Sequence, residues 1–109
     1  MKVFNESKYL KHQELDGQDW VVTIDRVERH EMKSRDGKQE KKFVLFFREH
    51  EKGMILNATN MNTLYKLFNS DDSDDWAGKR IAIYTKEDIE MGGELVPGLR
   101  IRPKHPAAI

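Results

Sequence analysis

The residues of this sequence that could do chemistry are aromatic rings and cations at alternating strand positions. In the apolar run at 43–47, the alternation that turns Leu45 inward turns Phe46 outward, and Arg48 follows on the same side. Asn57, after the next short run, adds an amide to that side. An exposed ring offers a stacking surface to a base, and a guanidinium pairs with a phosphate. The pattern therefore predicts a surface for single-stranded nucleic acid on the outer face of strands 2, 3 and 5.

Further cations fall near the ends of other predicted strands. Arg100 and Arg102 alternate on the last strand, so both can reach one stretch of a phosphate backbone. Tyr84 either stacks on a base or covers the wall of the core. The candidate nucleic-acid-binding residues are Lys41, Lys42, Phe46, Arg48, Asn57, Lys79, Tyr84, Arg100 and Arg102.

Each candidate also has a structural interpretation that the sequence leaves open. Phe46 is either a binding ring or a side chain packed under the helix, the N-terminal segment or a second subunit. Arginines often meet local carboxylates, and lysines at strand ends serve solubility. Asn57 has the side chain of a helix cap. Trp76, beside Gly78, is expected to attach a loop to the core.

Catalytic and metal-binding patterns fail on spacing. A calcium loop starting at Asp71 would place Trp76 where glycine is required and Ala82 where the bidentate glutamate belongs. His50-Glu51 lacks the second histidine of a zinc-binding helix. The sequence contains no nucleophile elbow and no phosphate-binding loop. We therefore expect a protein that is not an enzyme and uses no cofactor or metal.

The composition is that of one globular domain. The chain has 109 residues, no cysteine, and 19 basic and 19 acidic residues. Zero net charge disfavours a strongly basic binder of polyanions, but a local basic face remains because acids gather at 71–75 and bases at 100–104. No run approaches the roughly 20 apolar residues of a membrane span, and the N-terminus lacks the apolar region of a signal peptide. We expect a cytoplasmic protein with no membrane partner.

Period-two alternation predicts the strands that carry these side chains. Segment 20–27 is the first strand, with Val22 and Ile24 inward and Val27 returning inward if a bulge intervenes. A charged hairpin arm follows, centred on Asp36-Gly37. The other strands are predicted at 43–47, 54–56, 79–85 with an extension to 91, and after the Gly92-Gly93 turn with a kink at Pro97-Gly98. One helix follows the third strand, with Met61, Leu64, Tyr65 and Phe68 on one face.

This order of elements predicts a mainly β fold, namely a five-stranded OB-fold Greek-key barrel with one α-helix between strands 3 and 4. Closure of the barrel would remove the exposed edges of such apolar strands. The predicted division is an N-terminal segment at 1–19 packed on the barrel, an OB-fold domain at 20–103 and a flexible tail at 104–109. The first segment holds a short helix, capped by Ser7, that ends at Asp16-Gly17.

Four groups of residues carry a resemblance that covers nearly the whole chain. They are Tyr9-Leu10 with Leu15-Asp16-Gly17, Lys52-Gly53 with Leu56-Asn57 and Thr59-Asn60, Trp76 with Gly78, Lys79, Arg80, Ile81 and Tyr84, and the run from Gly98 to Pro103. Through them the sequence resembles small phage- and prophage-encoded OB-fold proteins, which are described as single-stranded DNA-binding-like. Glu87, Asp88 and Glu90 depart from the basic or neutral residues expected in the arm before Gly92.

Two functions are expected from these observations and that resemblance. The first is non-catalytic binding of single-stranded nucleic acid, DNA before RNA, by a protein of phage or prophage origin acting in replication or recombination in the host cytoplasm. The alternative is a protein-interaction or structural module with no nucleic-acid role. That module would form a homodimer or bind a phage or host replication protein around Phe46, and the zero net charge and the acidic run favour it.

Overall fold

Five antiparallel strands and one α-helix form the described part of the chain, which is residues 9–33 and 36–106 of a computed structural model. The elements are β1 Trp20–Lys33, β2 Gln39–Phe47, β3 Met54–Leu56, α1 Ala58–Phe68, β4 Arg80–Met91 and β5 Glu94–Ile101, with 3-10 helices at His12–Leu15 and Ser73–Asp75. The strands form one open sheet in the order β3-β2-β1-β4-β5. The mainly β class and the helix between the third and fourth strands are confirmed. Within the described residues, β3 and β5 are the two edges of the sheet.

A bulge in β1 sets which side chains face the core. Ile24 lies opposite Phe47, but Arg26 lies opposite Phe46, so one extra residue stands on β1 between these pairs. Beyond the bulge, Val27 lies opposite Leu45 and packs against the core. The predicted inward return of Val27 is therefore confirmed. The same shift places Arg26 beside Phe46.

The β1–β2 ladder continues beyond the core as a two-stranded arm that reaches Lys33 and Gln39. Gly37 near its tip has φ of 83°, which suits a glycine in a tight hairpin. Alternation gives the arm two faces. We call the face continuous with the core the inner face, formed by Arg29, Glu31, Lys33, Gln39, Lys41 and Phe43. The outer face is formed by Arg26, Glu28, His30, Met32, Glu40, Lys42, Val44 and Phe46.

The core lies between the curved sheet, the N-terminal segment and one side of α1. Its buried side chains are Leu10, Leu15, Val22, Ile24, Leu45, Phe47, Met54, Leu56, Leu64, Trp76, Ile81, Ile83 and Ile101. Leu45 and Phe47 thus point inward as expected. The predicted helix face was wrong for Tyr65, which is 50% exposed. The helix turns Asn60 and Leu64 inward, and this rotation moves Tyr65 towards solvent.

Helix α1 begins at a side-chain cap. Asn57 Oδ1 accepts a hydrogen bond of 2.8 Å from the backbone N–H of Asn60. The helix ends at Asn69, whose φ of 50° is the left-handed conformation common after a helix. The expected cap at Asn57 is confirmed. Because a short strand leads directly into this cap, the start of α1 lies beside the end of β3.

The N-terminal segment packs between the two ends of the sheet. Its Leu10 N–H donates to the Gly53 carbonyl at 2.8 Å, and the Thr85 hydroxyl donates to the His12 carbonyl at 3.1 Å. The 3-10 helix ends at Asp16, which has φ of 51°, so the predicted end at Asp16-Gly17 is confirmed. The helix begins at His12 with Lys11 as its N-cap, and Tyr9 forms a β-bridge with Gly53, so the predicted start after Ser7 was wrong. Ser7 itself lies outside the described residues. No helix in the described part of the chain is long and apolar enough to span a membrane.

The β4–β5 hairpin forms a second arm. Its turn is Gly92-Gly93, where both residues have positive φ. The pairing is irregular between Lys86 and Ile89, opposite Pro97, as the predicted kink requires. After β5, the Arg102 N–H donates to the Ala82 carbonyl at 2.8 Å, and the His105 ring meets the edge of Phe68. The described part of the predicted tail therefore packs on α1.

Candidate nucleic-acid interface

Phe46 points away from the core, as expected, but its own chain covers much of the ring. The Arg26 guanidinium lies 4.4 Å from the ring centroid, and the His30 ring centroid lies 5.7 Å away. On another side, a Cβ added to Gly53 would come within 2.9 Å of Phe46 Cε1. The side chain is half-buried. These contacts leave little of the ring for a base or a second subunit.

Charges on the outer face are paired with one another. Arg26 binds Asp25 and Glu28, and His30 Nε2 lies 2.8 Å from Glu28 Oε1. Hydrogen bonds from His30 and then from Arg26 lower the pKa of Glu28, so this carboxylate stays charged. Lys42 Nζ lies 3.2 Å from Glu40. The outer face therefore has no excess of unpaired cations to offer a phosphate.

The inner face has the opposite character. Phe43 is 38% exposed, and the Arg29 guanidinium lies 5.1 Å from its ring centroid. Lys33 and Lys41 are exposed on the same face, where Glu31 is the one acid among the described residues. Neither lysine nor Arg29 forms an ion pair with any described residue. An accessible ring and three cations that form no ion pair with the described residues therefore share one face of the arm.

Tyr84 and Arg102 lie together on the β4–β5 side of the sheet. The Arg102 guanidinium stacks 3.6 Å above the Tyr84 ring centroid and donates two hydrogen bonds of 2.9 Å to Asp19. The bond from Arg102 lowers the pKa of the Asp19 carboxyl, and the same bond raises the pKa of Arg102. Arg100 lies opposite Tyr84 and makes no ion pair with the described residues. Arg100 Nη1 donates to the Leu99 carbonyl at 3.2 Å. Arg102 thus has a carboxylate partner, whereas Arg100 has none among the described residues.

Arg48 and Lys79 lie at the end of the β1–β2 ladder that is opposite the arm tip. The Arg48 guanidinium would be 3.6 Å from a Cβ placed on Gly78, the residue before Lys79. Ile24 joins this loop to β1, donating to the Lys79 carbonyl and accepting from the Gly78 N–H, both at 2.8 Å. Both cations are exposed and form no ion pair with described residues. They form a small basic group distant in register from the inner face.

The predicted residues are therefore distributed over several places. The structure brings Tyr84, Arg100 and Arg102 together, and it places Arg48 near the loop that contains Lys79. It puts Lys41 and Lys42 on opposite faces of the arm. Sequence reasoning missed Phe43 and Arg29, because inward alternation suggested a buried Phe43. A two-residue turn at Asp36-Gly37 would pair Arg29 with Val44, whereas the observed ladder is shifted by one residue and pairs Arg29 with Phe43. Counting from this turn therefore does not identify the pair.

A cleft of about 370 Å³ separates β3 from β5. Its residues are Leu10, Lys11, His12, Gln13, Ile55, Asn57, Asn60, Ile89, Met91, Val96, Pro97, Gly98, Leu99 and Arg100. None of these residues is acidic. Asn60, only 1% exposed, donates from Nδ2 to the Leu99 carbonyl at 3.2 Å, while its Oδ1 has no hydrogen-bond partner among the described residues. The cleft is thus mainly apolar, with cations at its rim and one unsatisfied acceptor.

Residues 9–33 and 36–106 contain no group of three or more histidine, aspartate or glutamate side chains arranged to hold a metal ion. Comparisons with protein-family models, with curated proteins and with solved structures find no match to this chain. The geometry described above is therefore the basis for a functional proposal.

Proposed function

We propose that this chain is a non-catalytic single-stranded nucleic-acid-binding protein, with DNA as the favoured ligand, and that its sheet is a partly open OB-fold. The strand order supports the fold proposal, because β4 lies beside β1 and β2 leads on to β3, which is the spatial order of a Greek key. An OB-fold is a five-stranded, partly open barrel of this kind. The resemblance to phage- and prophage-encoded OB-fold proteins supports a role in replication or recombination in the host cytoplasm.

The exposed ring of Phe43 beside unpaired cations is the observation that carries the functional proposal. A base stacks on the free part of the Phe43 ring, while Arg29 and Lys41 neutralise the flanking phosphates. Every base has an aromatic face, so stacking on the Phe43 ring does not depend on which base is bound. We therefore expect binding with little sequence preference and a strong dependence on salt.

The predicted outer surface has a smaller part in this proposal. Lys41 belongs to the inner face, and Arg48, Lys79 and Arg100 are unpaired cations that add long-range attraction for a polyanion. The other members of the predicted set already have partners within the chain. These are Lys42, Phe46, Asn57, Tyr84 and Arg102.

Fluorescence anisotropy with a labelled oligo-dT of about 15 nucleotides tests this proposal at low and moderate salt. We expect a dissociation constant in the micromolar range or better near 50 mM salt, and a loss of ten-fold or more near 200 mM. Phe43→Leu keeps an apolar side chain but removes the ring, and should weaken binding about ten-fold, within the range of one base stack. Phe46→Leu is the matched control on the outer face and should bind nearly as the unchanged protein does.

Three results would overturn the proposal. They are no binding at low salt, binding that salt does not weaken, and equal affinity for the Phe43→Leu and unchanged proteins with matching circular dichroism. If both phenylalanine variants lose affinity equally, the outer face is part of the binding site, and the bound nucleic acid does not follow the inner face alone.

A protein-interaction module is the second candidate function. The observation that favours it is the cleft between the edges of β3 and β5, whose unsatisfied Asn60 acceptor has no role in binding at the inner face. The two functions are compatible, because the cleft and the inner face share no residue.

A further inference from the structure

The cleft between β3 and β5 has the groups needed to recognise a peptide bond. Asn60 Oδ1 is an acceptor with no partner among the described residues. The adjacent Leu99 carbonyl accepts from Asn60 of α1, so it faces away from β4. In an antiparallel strand, the N–H and C=O of a residue point to the same side, so the Leu99 N–H also faces the cleft. An acceptor and a donor thus lie next to each other at the open edge of β5.

The surroundings of this pair suit an extended chain with aliphatic side chains. β5 pairs with β4 on one side, and its other edge is directed towards the gap. β3 pairs with β2, and its other side is bridged by Tyr9 at Gly53, so the free part of that edge begins after Gly53. Ile55, 37% exposed, and the half-buried Ile89 and Val96 line the gap. Unpaired strand edges beside apolar pockets are the arrangement that binds a peptide by strand addition.

The charges at the rim define which peptide fits. Lys11 and Arg100 line the cleft, and no aspartate or glutamate does. Neither Lys11 nor Arg100 forms an ion pair with a described residue. An acidic side chain on the incoming segment would supply the missing counter-charge, whereas a basic segment would be repelled.

We propose that this cleft binds an extended, acidic and aliphatic peptide segment of a partner protein, which adds as a strand to β5. A peptide N–H donates to Asn60 Oδ1, a peptide carbonyl accepts from the Leu99 N–H, and an acidic side chain pairs with Arg100. Because Asn60 Oδ1 is buried, binding includes a shift of the half-buried side chains Leu99 and Ile89. Nucleic acid fits less well, because among the cleft residues only His12 has a ring on which a base could stack.

The test is a titration of the full chain, followed by amide NMR signals, with a probe of about eight residues that alternates glutamate with valine or isoleucine. We expect a dissociation constant on the order of 100 μM, with shifts centred on Ile55, Leu99, Arg100 and the side-chain amide of Asn60. The same probe with lysine in place of glutamate should bind at least about ten-fold more weakly. Arg100→Glu should reverse this preference, and Lys66→Glu, an exposed cation on α1 outside the cleft, should leave it unchanged.

If the cleft binds something other than an acidic peptide, the NMR titration gives a different result, and each such result would overturn the proposal. Oligo-dT that shifts the Ile55 and Asn60 signals would assign the cleft to nucleic acid. Concentration-dependent shifts of these signals without a probe, together with a dimer in sedimentation, would assign it to a second copy of this chain. The absence of shifts at millimolar probe, or equal binding of the acidic and basic probes, would show that no acidic peptide site is present. Because Arg100→Glu could alter folding, Ile55→Lys on the exposed wall is a second variant and should also weaken the acidic probe.

Discussion

Arg102 and Asp19 are 83 positions apart in the sequence and form a bidentate ion pair with both N···O distances at 2.9 Å. The guanidinium also stacks on Tyr84. The pair therefore joins the turn before β1 to the residue after β5, across the face of β4. A cation that the sequence offers for phosphate binding therefore also connects two distant parts of the fold.

This pair should make stability depend on pH at the acid end. The hydrogen bond from Arg102 lowers the pKa of Asp19 below its usual 3.8. A carboxyl with a lowered folded-state pKa adds stability that is complete above the unfolded-state value and is lost as pH falls through the folded-state value. Asp19→Asn should therefore lower the melting temperature at neutral pH, and the difference from the unchanged protein should shrink below the usual aspartate pKa.

Thermal unfolding followed by circular dichroism between neutral and acid pH measures this difference. Asp71→Asn is the control, since Asp71 is exposed and forms no ion pair with the described residues. A difference between Asp19→Asn and the unchanged protein that stayed constant from neutral to acid pH would contradict the role of the charge.

Lys41 and Lys42 are adjacent in sequence but differ in partners, which gives a matched pair of variants. Lys42 binds Glu40 on the outer face, whereas Lys41 is exposed on the inner face with no ion pair among the described residues. Lys41→Ala should weaken oligo-dT binding and reduce the slope of log K against log salt by about 0.7, the value for one phosphate contact on a single strand. Lys42→Ala should leave the slope unchanged in the same anisotropy titration. Equal slopes for the two variants would place the nucleic acid elsewhere.

Short-range patterns made much of the fold predictable. The β3 strand, the cap at Asn57, the hairpin at Asp36-Gly37 and the turn at Gly92-Gly93 all depend on residues next to one another in the chain. The bulge in β1 was also predictable, because without it Val27 would have faced solvent. Local chemistry determines these features, so they can be derived from a single sequence.

The candidate site was less predictable because it depends on where the core ends. Phe43 has the same alternation as Leu45 and Phe47, but it lies at the margin of the core, where it lines a pocket with Met61 of α1 and stays 38% exposed. The partners of Arg26 and Arg102 are set by bulge position and by tertiary contact, respectively. The pattern of residues in a single sequence does not show contacts between distant residues. A cation with an ion-pair partner therefore cannot be distinguished from one without a partner.

Gly53 is required by packing and not by backbone conformation. A Cβ at this position would lie 2.5 Å from Val44 Cγ1 and 2.9 Å from Phe46 Cε1, while its φ is not in the left-handed region. Gly53→Ala should therefore reduce the free energy of unfolding by about 1–3 kcal/mol, as expected for overpacking. Urea denaturation of this variant, of Val44→Ala and of the double variant should show less loss in the double variant than the two single losses together. Strict additivity would mean that the side chain of Val44 is not what excludes the extra methyl group.

Two variants at Asn57 distinguish its role as a helix cap from a role in binding. Its Oδ1 already accepts from the Asn60 N–H, so Asn57→Ala should cost about 1 kcal/mol of unfolding free energy and leave the salt dependence of oligo-dT binding unchanged. Asn57→Asp keeps the cap and places a negative charge beside Arg100 in the cleft between β3 and β5. This variant should be as stable as the unchanged protein or slightly more so, because an anion at a helix N-terminus is favourable. It should nevertheless weaken the acidic peptide probe several-fold, because the added carboxylate competes for Arg100. In Asn57→Asp, the free energy of unfolding and the affinity for the acidic probe should therefore change in opposite directions. If they change in parallel, Asn57 affects the cleft only through helix stability.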